Sequence, residues 1–414
     1  MASKIVIIGS GVIGTSSAYY LRQQGHDVTV VDRGGYGQMC SHANCGLISP
    51  SHLLPLAMPG AVKKSLSLMM QKNSPFYIKP RFDPTLWAWL VRFARNCNEK
   101  QMLRAGRARQ ALLNSSRRLY DELFAQEQLA AEFQTVGCLF VYQTQAEFDE
   151  FGHEAELLKR EFGVQVDAWD ARQLQEQEPS LTAGLAGGWY FESDAHLRPD
   201  RLMSSWRAKL ESMGVVVREN RELQGFRPVN DGKAAAQFPD ELVDADTFIL
   251  ATGALTPKLQ RFLGCSIPIQ PGKGYSITMA RPQPCPTYPL LCPEHRLAVT
   301  PMQSGYRLGS TMEFSGYDST LNKQRIAALR EAARHYLLEP VAEPVEEEWY
   351  GWRPMTTDGL PIIDRSRNFA NVWVVAGHNM LGLSMAPATG RLVAELIDGR
   401  ETHIDPRPYR LERF

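Results

Sequence analysis

Residues 4–32 read KIVIIGSGVIGTSSAYYLRQQGHDVTVVD, and this stretch decides the fold. Four apolar β-formers, Ile5 to Ile8, run into Gly9-Ser-Gly11-Val-Ile-Gly14; an amphipathic segment follows, then a second apolar run that ends on Asp32. The period changes from strand to helix and back to strand, which predicts a βαβ unit. Its glycines fit a dinucleotide. Gly9 permits the tight turn, Gly11 lets a pyrophosphate approach the backbone, and Gly14 lets helix and strand pack closely. Val12 and Ile13 open the helix, whose N-terminus offers N–H groups and positive potential to phosphates. Asp32, with Arg33 beside it, stands where adenosine ribose hydroxyls are bound. The alternative is a glycine turn kept for packing alone, and the fingerprint by itself does not separate FAD from NAD.

The rest of the chain bounds the answer. It has 414 residues, enough for two or three domains, with 44% hydrophobic and 22% charged residues, so a sizeable core is available. Forty-five Lys and Arg balance 45 Asp and Glu, which leaves no summed field to draw the protein onto nucleic acid. Seven cysteines show no CxxC pair and no Cys/His cluster at metal-binding spacing, so neither a disulfide framework nor a metal is expected. The first strand begins almost at Met1, which argues against a signal peptide, and no 18-residue uncharged apolar run occurs. The expected compartment is the cytoplasm.

Beyond Asp32, a glycine-rich and turn-rich stretch to Pro59 reads as functional loop. Residues 84–130 read as helical, with Trp87, Leu90, Val91 and Ala94 on one face. The runs 135–143, 275–279 and 306–312 read as strands of a second, antiparallel sheet. A helix over 198–212, strands at 215–218, 246–251 and 372–376, and a helix over 388–397 resume the α/β pattern. The expected fold is α/β plus α+β, with a Rossmann-like dinucleotide-binding domain (1–50, 165–255, 345–414) interleaved with an antiparallel-sheet substrate domain (51–164, 256–344).

Several segments carry chemistry besides the fingerprint: CSHANCGLISP (40–50), LATGA (250–254), KGYSIT (273–278), GWRPMTTDGLP (351–361) and GHNMLGLSMAPATG (377–390). In order and spacing these segments and the N-terminal motif resemble the FAD-dependent D-amino acid oxidase superfamily, and within it the bacterial D-amino acid dehydrogenases of small-subunit type. The resemblance spans nearly the whole chain and implies FAD as the cofactor. It sets Ser41, His42, Asn44, Gly46 and Leu47 against the flavin. It also brings in Ala251, Thr252 and Gly253 after the middle strand, and Gly377, Met380, Leu381, Gly382 and Leu383 at the start of the last helix. Covalent relatives place a histidine next to the first of these stretches; His42 sits one position off, so a noncovalent flavin is expected, with an ordinary loop histidine as the other reading.

The arginine of the family's GxRP motif maps onto Arg353 and implies a substrate-carboxylate anchor lying next to the cofactor. A guanidinium suits that task because its planar fork matches a carboxylate and stays charged; an interdomain salt bridge is the alternative. Tyr275 would add a second carboxylate contact, or else be an aromatic core residue. Glycine oxidases carry a further arginine where this chain has Asn379, Met380 and Leu381, which suggests an apolar pocket wall. A helix from about Ser384, with Pro387 in its first turn, would aim its N-terminus at the flavin.

The implied reaction is oxidative deamination of a D-amino or cyclic D-imino acid by hydride transfer from Cα to flavin N5. The neutral amine drives out the hydride, so no side-chain base is named. A glycine or sarcosine type oxidase producing hydrogen peroxide is the alternative, and a noncatalytic flavoprotein a more distant one. The implied electron acceptor is a quinone or other respiratory carrier. In LLPLAMPGAVKKSLSLMM (53–70), Val62, Leu66, Met69 and Met70 would share one helical face flanked by Lys63 and Lys64. Such a face either meets the inner membrane peripherally or packs inside the substrate domain.

Overall fold

The computed structural model describes residues 2–63 and 76–414. The βαβ unit forms as expected: the strand Lys4–Ile8, the helix Val12–Gln23 and the strand Asp27–Val31. Both strands are buried on two faces, which is why they read as continuous apolar runs. They lie centrally in a six-stranded sheet ordered Ile362–Arg365, Val372–Ala376, Thr247–Leu250, Lys4–Ile8, Asp27–Val31, Val216–Arg218. All pairs are parallel except the first. A small antiparallel sheet of Gly225–Pro228, Ala234–Gln237 and Leu242–Val243 stands on one side. The helix Gly382–Ile397 packs against Val12–Gln23 and against the long helix Glu99–Glu127.

The second body is a nine-stranded, mainly antiparallel sheet. Four of its strands are adjacent in the order Val345–Thr356, Ile269–Met279, Gly305–Phe314, Leu297–Met302. Each of the two large sheets draws its strands from separated parts of the chain. Asp167–Asp170, Gly187–Phe191 and Val345–Thr356 pair into this large sheet, although their segments read as part of the nucleotide side. The sequence pattern gives strands, not partners, and partners decide the domain.

Two helix readings also shift. In Pro84–Asn96 the buried residues are Leu86 and Trp89, which pack with Met312, Phe314 and Met355, while Trp87 and Val91 face outward. The last helix starts at Gly382, two residues before Ser384, so Pro387 lies in its second turn. A proline there cannot donate to the carbonyl of Leu383. The buried Tyr120 hydroxyl donates to that carbonyl instead, at 2.8 Å. Of the amphipathic face read over 53–70, Val62 and Lys63 are described; Lys64, Leu66, Met69 and Met70 lie outside the described residues.

Candidate active site

One large cavity, about 1440 Å³ with its open mouth, runs along the carboxyl ends of the parallel strands. This is where open α/β sheets bind ligands. Its walls can be followed from one end to the other.

At the first end stand Asp32, Arg33, Arg221, Glu222 and Leu223. The Asp32 carboxylate is fixed before any ligand arrives: one oxygen accepts from the Ser10 N–H and hydroxyl, both at 2.7 Å, and the other from the Gly34 N–H at 2.9 Å. In the middle are Gly9, Gly11, Val12, Ile13, Ala251, Thr252 and Gly253. The glycines are required by contact. Gly9 has φ +111°, and a β-carbon on it would stand 2.4 Å from the Ala251 carbonyl oxygen; one on Gly14 would stand 1.9 Å from that of Gly9. Gly14 thus closes the turn from behind the cavity wall. Gly11 has room, because its β-carbon would meet only the Ser41 hydroxyl at 3.2 Å, so its smallness serves the cavity. Ser41 accepts from the Val12 N–H at 2.9 Å, drawing the 40–47 loop onto the helix N-terminus.

At the far end are Trp352, Arg353, Pro354, His378, Asn379, Met380, Gly382 and Leu383, facing Met39, Cys40, Ser41 and Asn44. The N-terminus of the last helix is therefore presented to the cavity, which favours negative charge there. Arg353 is half-buried. Its guanidinium donates to the carbonyl of Thr311 at 2.6 Å and of Ser310 at 3.4 Å, and no carboxylate pairs with it among the described residues. Both carbonyls come from strained backbone: Ser310 has φ +123° and Thr311 φ +56°, beside an irregularity in the partner strand between Lys273 and Tyr275. A β-carbon on Gly274 would lie 2.3 Å from this guanidinium, so the glycine provides its floor.

Six further residues expected at the site stand elsewhere. Tyr275 is buried, and its hydroxyl donates to Glu313 at 2.9 Å, not into the cavity. Burial, then that hydrogen bond, raises its pKa. The His42 ring pairs with Glu347 at 2.9 Å, and this bond raises its pKa. Gly46 and Leu47 carry the loop away from the cavity, with Gly46 at φ +71° under the Leu197 carbonyl. Gly377 turns the chain at φ +82° against Thr356. Leu381 faces a small neighbouring crevice with His52, Arg109 and Met355. Conversely, Arg221, Glu222, Lys258, Trp352 and His378 line the cavity although nothing singled them out beforehand. Arg221, Glu222 and His378 come from loops, Lys258 from the 3-10 helix Gly253–Leu259 and Trp352 from within the strand Val345–Thr356, and only His378 and Trp352 lay inside stretches already marked.

A cavity with a glycine turn, a fixed carboxylate and, at the far end, a cation with no carboxylate partner among the described residues suits a dinucleotide. The sequence settles which kind. The chain belongs to the DAO family of FAD-dependent oxidoreductases, whose model matches residues 4–396. It is similar to proteins named D-amino acid dehydrogenase from Paramagnetospirillum magneticum, 34% identical over 419 residues and 99% of each chain, and from Methylobacterium radiotolerans, 33% identical over 423 residues and 99% of each. The fold is shared with glycine oxidase from Geobacillus kaustophilus (TM-score 0.79, 21% identity, 100% and 99% covered) and L-proline dehydrogenase from P. horikoshii (0.74, 18%, 100% and 98%). FAD is the cofactor, and the walls just described fit it: the glycines would let a pyrophosphate approach, and the N-terminus of the last helix would favour negative charge on a flavin ring.

Proposed function

We propose that the enzyme oxidatively deaminates D-amino or cyclic D-imino acids. The observation that carries this reading is Arg353, a cation without a carboxylate partner on the wall of the FAD cavity, in a chain related over its full length to D-amino acid dehydrogenases. Bound FAD supplies the hydride acceptor. The protein's task is orientation: Arg353 takes the substrate carboxylate, while Trp352, Pro354 and Met380 give apolar walls for the side chain. No carboxylate or imidazole is invoked as a base, because a neutral amine supplies its own lone pair. The imine product hydrolyses to a 2-oxo acid, or persists if cyclic. Anaerobic mixing with a panel of D- and L-amino acids, D-proline and sarcosine tests the reading. Bleaching of the flavin by the D-series supports it, and bleaching by sarcosine or glycine alone overturns it.

The acceptor in this reading is a quinone or another respiratory carrier, reached from a peripheral position on an anionic membrane. What supports it is the outer face of Pro84–Asn96 and the turn before it. Phe82 is 93% exposed, Trp87 59% and Val91 52%. Residues 79–107 carry seven Lys and Arg against two acids, in a chain whose net charge is zero. An apolar face flanked by cations is the composition of a surface helix on lipid. No helix among the described residues is long and apolar enough to cross a membrane. Reoxidation by quinone analogues well ahead of oxygen, and sedimentation with anionic vesicles that a Trp87→Ser/Val91→Ser variant loses, are the expected results. Peroxide formed in step with turnover would point to an oxidase.

A further inference from the structure

The loop that faces the far end of the cavity is tied to the first helix at Ser41 and, beyond that residue, to the large sheet. Four successive residues, His42 to Cys45, are each caught by a side chain from the large sheet. The His42 ring pairs with Glu347 at 2.9 Å. The Ala43 carbonyl accepts from the Ser276 hydroxyl at 2.7 Å, the Asn44 carbonyl from the Arg307 guanidinium at 2.8 Å, and the Cys45 carbonyl from the Thr300 hydroxyl. Glu347, Ser276, Arg307 and Thr300 lie on the four adjacent strands Val345–Thr356, Ile269–Met279, Gly305–Phe314 and Leu297–Met302, in that order. The loop therefore crosses the sheet at one residue per strand.

An extended residue advances only about 3.3 Å while strands stand about 4.8 Å apart, so the reach of the clamping side chains, above all Arg307 and Glu347, makes up the difference. The contacts are built in. Ser276 and Thr300 are buried, and Arg307, 1% exposed, is held by Thr278 at 2.9 Å and balanced by Asp200 at 3.5 Å. Gly309 leaves space for the Cys45 sulfur, which would lie 2.7 Å from a β-carbon there. None of the four clamping residues lines the cavity; Cys40, Ser41 and Asn44 of the loop do.

We infer that this cross-strand clamp positions the flavin: Ser276, Thr300, Arg307 and Glu347 are positioning residues that act through the loop. The strand that carries Glu347 also carries Arg353. One sheet thereby sets both the loop against the flavin and the anchor for the substrate, and so the distance between cofactor and Cα. The inference rests on the reading that the 40–46 loop faces the flavin ring.

The test uses the FAD-loaded enzyme with Thr300→Val and Ser276→Ala, each removing one hold, Glu347→Gln, which takes the charge from the His42 pair, and Thr300→Ser, which keeps the hydroxyl. Tyr190→Phe serves as control; that hydroxyl donates to Val136 in the same sheet, away from the loop. We expect Thr300→Val and Ser276→Ala to lower kcat and FAD affinity about fivefold each, with KM nearly constant and an altered visible flavin spectrum. Thr300→Ser should restore all three, and Tyr190→Phe should change none. An unchanged spectrum and kcat in all three variants, with only thermal stability lowered, overturns the clamp. Should a buried variant fail to fold, Glu347→Gln, on a half-exposed side chain, decides on the spectrum alone. The spectrum and FAD affinity are read without substrate, so they stand even if no D-amino acid reduces the enzyme.

Discussion

Gly9 and Gly14 meet within one turn, five residues apart, whereas Arg353 is held by carbonyls 42 and 43 residues away on a different strand. The adenosine end of the cavity is thus local, and the flavin end is assembled. At the local end the glycines and the helix start work through backbone, by a positive φ, an absent β-carbon and N–H groups, and the one motif side chain, Asp32, is fixed by its near neighbours Ser10 and Gly34. At the assembled end the working parts are a guanidinium, two strained carbonyls, a glycine floor and a helix terminus, drawn from four separate segments. Local parts should fail all at once and assembled parts by degrees.

The sharpest break is at the glycines. A side chain on Gly9 or Gly14 runs into backbone and should prevent folding, but Gly11 has open space apart from Ser41. Gly11→Val should therefore fold and emerge colourless, with a far-ultraviolet circular dichroism spectrum like the parent's. Stoichiometric FAD in that variant would mean that the pyrophosphate passes elsewhere.

At the assembled end, Arg353→Leu should keep its FAD, because the adenosine end is untouched. Loss of a charge-assisted hold on the carboxylate costs about 2 to 5 kcal/mol of transition-state binding, or about two orders of magnitude or more in kcat/KM. Steady-state kinetics with the best amino acid would show it. Activity near the parent's would return Arg353 to a purely structural role on Ser310 and Thr311.

This contrast also explains what could be read without coordinates. Spacing reveals residues that act within one local turn, so Gly9, Gly11 and Gly14, and Asp32 at the end of the next strand, were legible along with the strands around them. Arg353 was legible only through a motif shared with relatives. Tyr275 and His42 were misplaced because a side chain's direction depends on which strand lies opposite, and Glu313 and Glu347 claim them. The same limit turned the Pro84–Asn96 helix the wrong way, since Leu86 and Trp89 win the core by meeting Met355.

A weaker effect separates the ends by pH. His196 and His378 are buried and His52 is half-buried in its crevice, and desolvation holds the pKa values of His52, His196 and His378 down at about 4, about 4 and about 3. Two of them lie at the assembled end, His378 on the cavity wall and His52 in the adjoining crevice. Below the unfolded value near 6.5 the unfolded chain binds three protons that the folded one refuses, so their stabilisation is present above that value and lost as pH falls. Asp194 acts in the opposite sense: burial pushes its carboxyl up to about 7, so the folded state keeps a proton that the unfolded state sheds above about 4. The net is two protons, or about 3 kcal/mol per pH unit between pH 6 and 4. The melting temperature of the FAD-loaded protein should fall steeply over that range, and a flat profile would show that water reaches these imidazoles.

The smallest effect lies where the last helix meets the cavity. Pro387 removes the donor that the Leu383 carbonyl would receive inside a helix, and Tyr120 replaces it from the Glu99–Glu127 helix at 2.8 Å. Tyr120→Phe leaves a buried acceptor without a partner, which costs about 1–3 kcal/mol. Pro387→Ala returns an N–H one turn along the same helix, so the carbonyl then has two donors available. The two substitutions should therefore couple: Tyr120→Phe is costly in the parent and nearly free in the Pro387→Ala background, as a double-mutant cycle on urea unfolding would measure. Additive costs would mean that the tyrosine serves only by packing. Because Leu383 lines the cavity, the coupled pair should also move the visible spectrum of bound FAD, in contrast to a change of equal cost remote from it.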